Sequence, residues 1–307
     1  MGDLSFVFFS SEGKEGLFLI RVESLTARYG ETVVLHGLGF DVAEGELIGL
    51  LGPNGSGKTT LLHCLSNVVP LDAGKVVLSG RDLAAYTARE LARVEASVPQ
   101  RLEITFPFKC MEVVLMGRYP YQRDFGTNSE DDLSKAMEAM RLTDTLDLAQ
   151  RRINEVSGGE AQRVIIARAL AQEATIMLLD EATANLDVAH KIQMFDLFAE
   201  LNQQGGTFIC AMHDLNLAAL YCRRLIFLKD GQISLDGPTL ETYTAENLSN
   251  IYETEVKIIE HPDTGAPQAM FVPGQGRRQQ AAPRLSTGQA GSRQVFTTKD
   301  TKVTKIV

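Results

Sequence analysis

An eight-residue segment near the start of the chain constrains its fold more than any other feature. The segment fits the pattern G-x-x-x-x-G-K-[ST] and consists of Gly52, Pro53, Asn54, Gly55, Ser56, Gly57, Lys58 and Thr59. The apolar run Leu47–Leu51 precedes it, as expected of a strand buried on both faces, and a helical pattern follows. Glycines let consecutive backbone N–H groups turn toward phosphate oxygens at a helix N-terminus. The segment therefore predicts a phosphate-binding loop.

Three residues at the end of this loop have distinct expected roles. Lys58 is expected to contact the β- and γ-phosphates of a nucleotide, and the Thr59 hydroxyl to bind Mg²⁺. Thr60, the next residue of the helix, completes the predicted nucleotide-binding segment. The expected ligands are thus ATP and Mg²⁺.

A pair of carboxylates follows a second apolar run farther along the chain. Ile176–Leu179 closes on Asp180 and Glu181. A strand that ends there places both carboxylates at the edge of the sheet where ligands of open α/β folds bind. We expect Asp180 to help hold Mg²⁺ and Glu181 to polarise the attacking water. An acidic pair that only ends a surface strand is the alternative, and the upstream phosphate loop disfavours it.

Strands and helices alternate along most of the chain, which predicts an α/β fold with a mostly parallel sheet. The predicted strands are Phe18–Glu23, Thr32–Val42, Leu47–Leu51, Val76–Leu78, Ala96–Val98, Thr175–Leu179 and Thr207–Met212. The predicted helices run from Lys58 to about Asn67, from a cap at Ser129 to Leu148, and from Gly158 to about Gln172. Two hairpins follow, Leu225–Leu228 with Ile233–Leu235 and Val256–Glu260 with Ala269–Val272, separated by a short helix ending at Tyr252.

A third motif carries a resemblance to a known family. Its residues are Val156, Ser157, Gly158, Gly159, Glu160, Ala161, Gln162 and Arg163. They resemble the signature of ABC ATPases, usually L-S-G-G-Q or L-S-G-G-E, with Val156 in place of Leu. Physically, Ser157 and two glycine N–H groups at a helix start form a second anion cradle. The resemblance implies that Ser157, Gly158, Gly159 and Glu160 close over the γ-phosphate held by an opposite subunit.

The other elements of that family follow in order along the chain. Tyr29 matches the aromatic that stacks on adenine, and Gln100 the glutamine that contacts metal and water and senses the membrane partner. Asp187 matches the D-loop, in which Ala184 replaces a serine that many members carry, and His213 matches the switch histidine that contacts the γ-phosphate. Taken singly, Tyr29 could equally be a packing residue and His213 a satisfied core histidine. The resemblance covers about residues 19–272.

The resemblance implies the fold class, and the residue pattern together with the resemblance gives the division of the chain. The fold is that of a P-loop NTPase core with a mostly parallel sheet, an antiparallel β subdomain and an inserted helical subdomain. We expect an N-terminal extension over 1–18, the ABC ATPase domain over 19–273 with its helical subdomain at about 102–165, and a disordered basic tail over 274–307. The tail carries a net charge of +6, which leaves −15 on the rest of a chain whose total is −9. An acidic body disfavours a nucleic-acid partner.

The cysteines and the hydropathy of the chain indicate the cellular compartment in which the protein is expected. The four cysteines form no C-x-x-C pair, which favours a reducing compartment, and no apolar run reaches the length of a membrane span. We expect a chain that is soluble or held at a membrane by another chain. By resemblance, that place is the cytoplasmic face of the cell (inner) membrane, where the subunit is peripheral.

Two segments resemble one subgroup, the ATPases of iron-siderophore, haem and cobalamin importers. They are Met116–Tyr121 and His213–Ala218. The resemblance implies a homodimer of this subunit, an integral-membrane permease dimer and, indirectly, a periplasmic or surface substrate-binding protein. The aromatic pair Phe106 and Phe108 is expected to line an apolar groove for the permease, with packing of the subdomain as the alternative.

Two rival classes, soluble ABC ATPases acting on DNA or ribosomes and exporter cassettes, fit the residues less well. A soluble ABC ATPase acting on DNA would carry a long coiled coil, but only 122 residues separate Lys58 from Asp180. A translation-type member would carry two cassettes, and this chain has one set of motifs. An exporter cassette would often be fused to membrane spans. The identity of the cargo is not encoded in any residue of this subunit.

Overall fold

The computed structural model describes residues 18–100, 106–122 and 128–273. The expected N-terminal extension (apart from Phe18) and the expected basic tail lie outside the described residues. So do two short pieces of the expected helical subdomain, 102–105 and 123–127. Within the described ranges, no helix combines the length and the hydropathy that a bilayer span requires.

The described chain alternates strands and helices as the sequence predicts. The strands are β1 (Ile20–Tyr29), β2 (Thr32–Val42), β3 (Leu47–Leu51), β4 (Ala73–Leu78), β5 (Arg81–Asp82), β6 (Glu95–Val98), β7 (Ile176–Asp180), β8 (Thr207–Ala211), β9 (Arg224–Lys229), β10 (Gln232–Pro238), β11 (Val256–Glu260) and β12 (Pro267–Phe271). The α-helices are α1 (Lys58–Leu65), α2 (Ala88–Leu91), α3 (Cys110–Leu115), α4 (Glu130–Leu142), α5 (Gly158–Ala171), α6 (Val188–Gln203), α7 (Leu215–Tyr221), α8 (Thr239–Thr242) and α9 (Ala245–Tyr252). Short 3₁₀ segments cover Leu83–Ala85, Met116–Tyr121, Leu146–Leu148 and Ile153–Glu155.

The central sheet has six strands in the order β10-β9-β3-β8-β7-β6. All neighbouring pairs from β9 to β6 are parallel, and only β10 pairs antiparallel, with β9. The prediction of a mostly parallel sheet is therefore confirmed. Because parallel strands end at the same edge, the residues that follow β3, β6, β7 and β8 meet there.

Strand β3 lies inside this sheet and is buried along its whole length. Its side chains alternate between two cores, as the period of a strand requires. Leu47 and Leu51 belong to the core on the side of α5, α6 and α7. Ile48 and Leu50 belong to the core shared with α1 and with a second, antiparallel sheet of order β2-β1-β4-β5. The loop after β3 is thus held by packing on both faces.

The largest differences between predicted and observed element boundaries are at the ends of β1 and α4. The first strand does not end at Glu23 but continues to Tyr29, because a bulge with positive φ at Ser24 interrupts the alternation without ending the pairing with β2. The helix predicted from Ser129 to Leu148 ends as an α-helix at Leu142. Beyond it, Asp144 has φ of 51°, and the Thr145 hydroxyl and backbone N–H bond the Met140 carbonyl. The chain then continues as a 3₁₀ turn.

Helix α4 begins as the sequence predicts. The Ser129 side chain accepts a hydrogen bond from the Asp132 N–H, and the Asp132 carboxylate accepts one from the Ser129 N–H. This reciprocal capping satisfies two N–H groups at the start of the helix. Helices α3, α4 and α5 pack against one another.

One buried carboxyl in the core yields a test of stability. Glu95, at the start of β6, is 7% exposed, and the Ser66 hydroxyl lies 3.4 Å from its Oε1. Burial raises the pKa of Glu95 to about 7 from an ordinary 4.5. A carboxyl whose pKa is raised by folding binds its proton more tightly in the native state. Stability is therefore lost as pH rises from about 4.5 through about 7.

We expect Glu95→Gln to raise the free energy of unfolding at pH 8 by up to about 3 kcal/mol and to change it little at pH 4.5. Thermal unfolding of both proteins at pH 4.5 and pH 8 measures this difference. Glu138→Gln, at an exposed glutamate of α4 paired with Arg141, is the matched control. An equal shift of the melting temperature at both pH values would contradict the buried-charge explanation.

Candidate active site

The phosphate loop spans Gly52 to Gly57, between β3 and α1, and two of its glycines are required sterically. Gly52 has φ of 142°, and a Cβ there would lie 2.0 Å from the Leu228 carbonyl oxygen. Gly57 has φ of 104°, and its Cβ would lie 2.5 Å from a Leu35 methyl carbon. Both conformations are unfavourable for residues with a side chain. The loop thus follows a path that only glycine permits at these two positions.

Lys58 turns back over the loop that precedes it. Its Nζ donates hydrogen bonds to the carbonyl oxygens of Gly52 at 2.8 Å and Pro53 at 3.1 Å. Burial lowers the pKa of Lys58, and the nearby charges of Glu181 and Asp180 partly oppose this effect. A phosphate oxygen would be a stronger partner for this ammonium group than two neutral carbonyls. The Lys58 ammonium group is therefore in a position to bind an anionic ligand.

Thr59 and Asp180 meet beneath the loop. The Thr59 hydroxyl donates to Asp180 Oδ1 at 3.1 Å. Burial raises the pKa of Asp180, and the hydrogen bond from Thr59 works in the opposite direction. Hydroxyl and carboxylate oxygens are the donors that Mg²⁺ prefers, together with substrate phosphates and water. No group of three or more His, Cys, Asp or Glu residues that could hold a metal occurs in the described parts of the chain. Because Thr59 and Asp180 both offer oxygen donors, the pair fits a Mg²⁺ ion shared with a nucleotide.

The Glu181 carboxylate lies between two polar side chains from neighbouring strand ends. Its Oε2 accepts a hydrogen bond from Gln100 Nε2 at 2.6 Å, and its Oε1 contacts His213 Nε2. Glu181 has φ of 48°, an uncommon conformation for a residue with a side chain, and its N–H bonds the Ala211 carbonyl. Strained residues held by their surroundings cluster at active sites. The arrangement suits a general base oriented by two neighbours.

A cavity of about 410 Å³ joins these groups. Its lining residues come from the loop, from the first turn of α1, from β2 and from the segments that follow three strands: Val34, Asn54, Gly55, Ser56, Gly57, Lys58, Thr59, Thr60, Gln100, Glu181 and His213. Asp180 lies behind Thr59 and is not part of the lining. Among the described residues, the buried Ser56 hydroxyl has no hydrogen-bond partner. Buried polar atoms are normally paired, so an unpaired hydroxyl in this wall is consistent with a polar ligand. The cavity fits a nucleotide phosphate chain.

The structure does not bring the signature residues into this cavity. Ser157 instead caps α5, where it accepts a hydrogen bond from the Glu160 N–H, while the Glu160 carboxylate accepts one from the Ser157 N–H at 2.7 Å. The latter bond lowers the pKa of Glu160. Gly158 is exposed, and a Cβ there would meet no atom within 4 Å. This anion cradle is thus open to the outside of the chain.

Asp187 and Tyr29 also lie outside the cavity lining. Asp187 caps α6 by accepting a hydrogen bond from the His190 N–H at 2.9 Å, and this bond lowers the pKa of Asp187. Tyr29, at the end of β1, exposes 51% of its surface. The adenine contact expected of Tyr29 stays a prediction.

Sequence reasoning missed two residues that hold the site together. The Tyr252 hydroxyl accepts a hydrogen bond from the Gly52 N–H at 3.1 Å, across 200 residues of chain. The Asn216 side chain pairs with the Ala269 backbone and accepts a bond from the Tyr243 hydroxyl, which fixes the β11–β12 hairpin to α7 near His213. No sequence pattern signals such contacts, although Asn216 lies within the quoted segment His213–Ala218.

Comparisons with known proteins identify the family. The family model described as ABC transporter matches residues 35–184. A hemin import ATP-binding protein, HmuV of Thermobifida fusca, is 41% identical over 257 residues, which are 84% of this chain and 90% of that protein. The chain belongs to the ABC transporter ATP-binding proteins. The resemblance found in the sequence motifs is therefore confirmed.

Other relatives of this ABC protein agree with that assignment. YvrA of Bacillus subtilis, an uncharacterized ABC transporter ATP-binding protein, is 38% identical over 275 residues; these are 89% of this chain but only 62% of YvrA. Further relatives are named ferric enterobactin transport, siderophore transport and cobalamin import ATP-binding proteins. The chain is an ATP hydrolase of the ABC importer class, and the alternative of a soluble ATPase acting on DNA or ribosomes is not favoured.

Solved structures confirm the ABC fold. The chain superimposes on a metal-chelate type ABC transporter in an inward-facing conformation with a TM-score of 0.71 and 28% identity. That match covers 83% of this chain and 97% of the solved one. The predicted ABC ATPase fold class, with its mostly parallel sheet, antiparallel sheet and helices, is therefore confirmed.

Proposed function

We propose that two copies of this chain form a homodimer in which each ATP lies between one phosphate loop and the partner's signature. The observation that carries this proposal is the separation of the two anion cradles within one chain. The phosphate loop lines the 410 Å³ cavity, whereas Ser157 and Gly158 lie outside it and face solvent. Within a single chain, the open cradle at the start of α5 lies away from the phosphate loop and its nucleotide. In a dimer, the ATP held by the second copy would supply the phosphate that this cradle binds.

Each composite site is proposed to hydrolyse ATP through the residues at the strand ends. Lys58 leaves the loop carbonyls to bind the β- and γ-phosphates, and Mg²⁺ held by Thr59 and Asp180 would neutralise phosphate charge when bound. Glu181 accepts a proton from the attacking water. Gln100 and His213 orient its carboxylate through the contacts described above. Attack on the γ-phosphorus yields ADP and inorganic phosphate.

The proposed membrane partner is a permease that docks on an aromatic surface that includes Phe106 and Phe108. Phe106 and Tyr119 expose 67% and 70% of their surfaces, and the rings of Phe106 and Phe108 lie 6.0 Å apart. The exposed and neighbouring rings of Phe106 and Phe108 indicate an interaction site. Gln100, which bonds the Glu181 carboxylate, lies six residues before Phe106 in the chain. Peripheral attachment at the cytoplasmic face of the membrane follows from such docking.

The proposed cargo is a metal chelate or tetrapyrrole of the iron-siderophore, haem or cobalamin type, delivered by a separate substrate-binding protein. The names of the relatives support this class and do not choose among its members. The subunit contacts nucleotide and permease, so its own residues carry no cargo site in this proposal.

Affinity capture tests the assembly. A tagged Glu181→Gln chain, trapped with ATP in membranes of the native host, is expected to retain a permease with many membrane spans. Lys58→Ala, which removes the ammonium group needed for ATP, is the matched control and should not be trapped as a closed dimer. Recovery of both variants only from the soluble fraction, with DNA or ribosomes attached, would overturn the transport proposal.

A further inference from the structure

The end of helix α9 contacts the first residue of the phosphate loop. The Gly52 N–H, directly after β3, donates to the Tyr252 hydroxyl at 3.1 Å, and Gly52 itself is buried. A buried backbone N–H without a hydrogen-bond partner lowers stability by about 1–3 kcal/mol. The Tyr252 hydroxyl provides that partner for the Gly52 N–H, which lies beyond the paired residues of β3. Within the described chain, the side chains that bond the backbone of Gly52 are those of Tyr252 and Lys58.

We propose that Tyr252 is a positioning residue for nucleotide binding, which holds Gly52 in the loop conformation that receives the phosphates. Tyr252 acts from the N–H side of Gly52, and Lys58 acts from the carbonyl side. The two contacts differ in one respect that matters for function. The Lys58 contact is given up when its ammonium group turns to a phosphate, whereas the Tyr252 contact does not compete with the ligand. This inference rests on the proposed role of the loop in ATP binding.

Helix α9 is itself fixed to the sheet, which makes it a firm support. Lys229, the last residue of β9, donates from Nζ to the Asn250 carbonyl at 3.0 Å and to Glu253 Oε1 at 3.0 Å. Leu248 and Ile251 are buried on the inner face of the helix. The phenol therefore has little freedom to follow the loop if the loop moves.

The Tyr252 phenol stays neutral at pH values near 7. Burial raises the pKa of Tyr252 to about 12, and the hydrogen bond from Gly52 opposes that rise. The hydroxyl oxygen is therefore a neutral acceptor for the Gly52 N–H at physiological pH. Its support of the loop should not depend on pH between about 6 and 9.

The test is Tyr252→Phe, which removes the hydroxyl and keeps the ring. We expect the Kd for MgATP, measured by calorimetry on the full chain, to rise about fivefold to tenfold. The turnover at saturating ATP should stay within about twofold, because the contact concerns binding of the loop and not the Glu181 carboxylate. Amide hydrogen exchange over residues 47–57 without nucleotide should become at least about fivefold faster.

Tyr86→Phe is the matched control, since its hydroxyl donates to the Leu78 carbonyl at 2.8 Å in the antiparallel sheet. It loses one hydroxyl from a partly buried ring and should leave both the Kd and the loop exchange unchanged. Unchanged exchange and Kd in Tyr252→Phe, or equal effects in Tyr86→Phe, would overturn the positioning role. Failure of the wild-type chain to bind MgATP would instead refute the proposed function, while the exchange measurement would still decide the Tyr252 contact.

Discussion

Replacing Glu181 with glutamine is expected to slow ATP hydrolysis at least about a hundredfold while ATP binding persists. Glutamine has the same shape and retains one carbonyl oxygen for the Gln100 amide, but it cannot accept a proton from water. The side chain follows β7, and its two carboxylate oxygens contact Gln100 and His213 at the ends of the neighbouring strands. The loss should therefore appear in kcat and not in the affinity for ATP.

Phosphate release at saturating MgATP measures the rate, and calorimetry with the same variant measures binding. Glu138→Gln, which makes the same chemical change on the exposed side of α4, is the control and should hydrolyse ATP at the wild-type rate. Turnover of Glu181→Gln within a few-fold of wild type would show that another group activates the water. Loss of ATP binding would show that the charge supports the nucleotide instead.

Local patterns predicted the parts of the site that lie within one segment. The close approach of Leu228 to Gly52 and of Leu35 to Gly57 is a long-range contact. The spacing of Gly52, Gly57 and Lys58 is still sufficient to predict a loop between strand and helix, because the positive φ of the two glycines is a local conformation that favours glycine. The capping box from Ser129 to Asp132 is predictable for the same reason. Where the chain departs from these predictions, side chains compete with the regular pattern, as Thr145 does at the end of α4.

Contacts between distant segments could not be predicted in this way. Tyr252 reaches Gly52 across 200 residues, and only the packing of α9 against β9 brings the phenol to the loop. Similarly, Asn216 lies on a helix whose sequence indicates no reason to hold β12. The sequence pattern placed Tyr252 at the end of a short helix, and no helix was predicted at Asn216. In both cases the partner of the side chain depends on the tertiary arrangement. The proposed supports of the active site therefore emerge only from the structure.

The separation of the two cradles predicts a large effect of Ser157→Arg. The cradle is exposed, so the arginine fits the single chain, but its long cationic side chain would occupy the space that the proposal assigns to the partner's γ-phosphate. We expect hydrolysis to be abolished while each chain still binds ATP at its own loop. Ser129→Arg removes the same capping hydroxyl from α4 and costs a similar amount of helix stability, about 1 kcal/mol, so it separates lost capping from a blocked site.

A mixture of two inactive variants distinguishes a shared site from a site within one chain. Lys58→Ala has a defective loop and an intact signature, whereas Ser157→Arg has the reverse. In a dimer that contains one chain of each variant, the intact loop of the Ser157→Arg chain faces the intact signature of the Lys58→Ala chain. That one site is functional, and the other site has both defects. Equal mixing should restore hydrolysis to at most about a quarter of the wild-type rate, since half of the dimers are mixed and each has one working site. If both sites were formed within single chains, every site in the mixture would be defective and no activity would return.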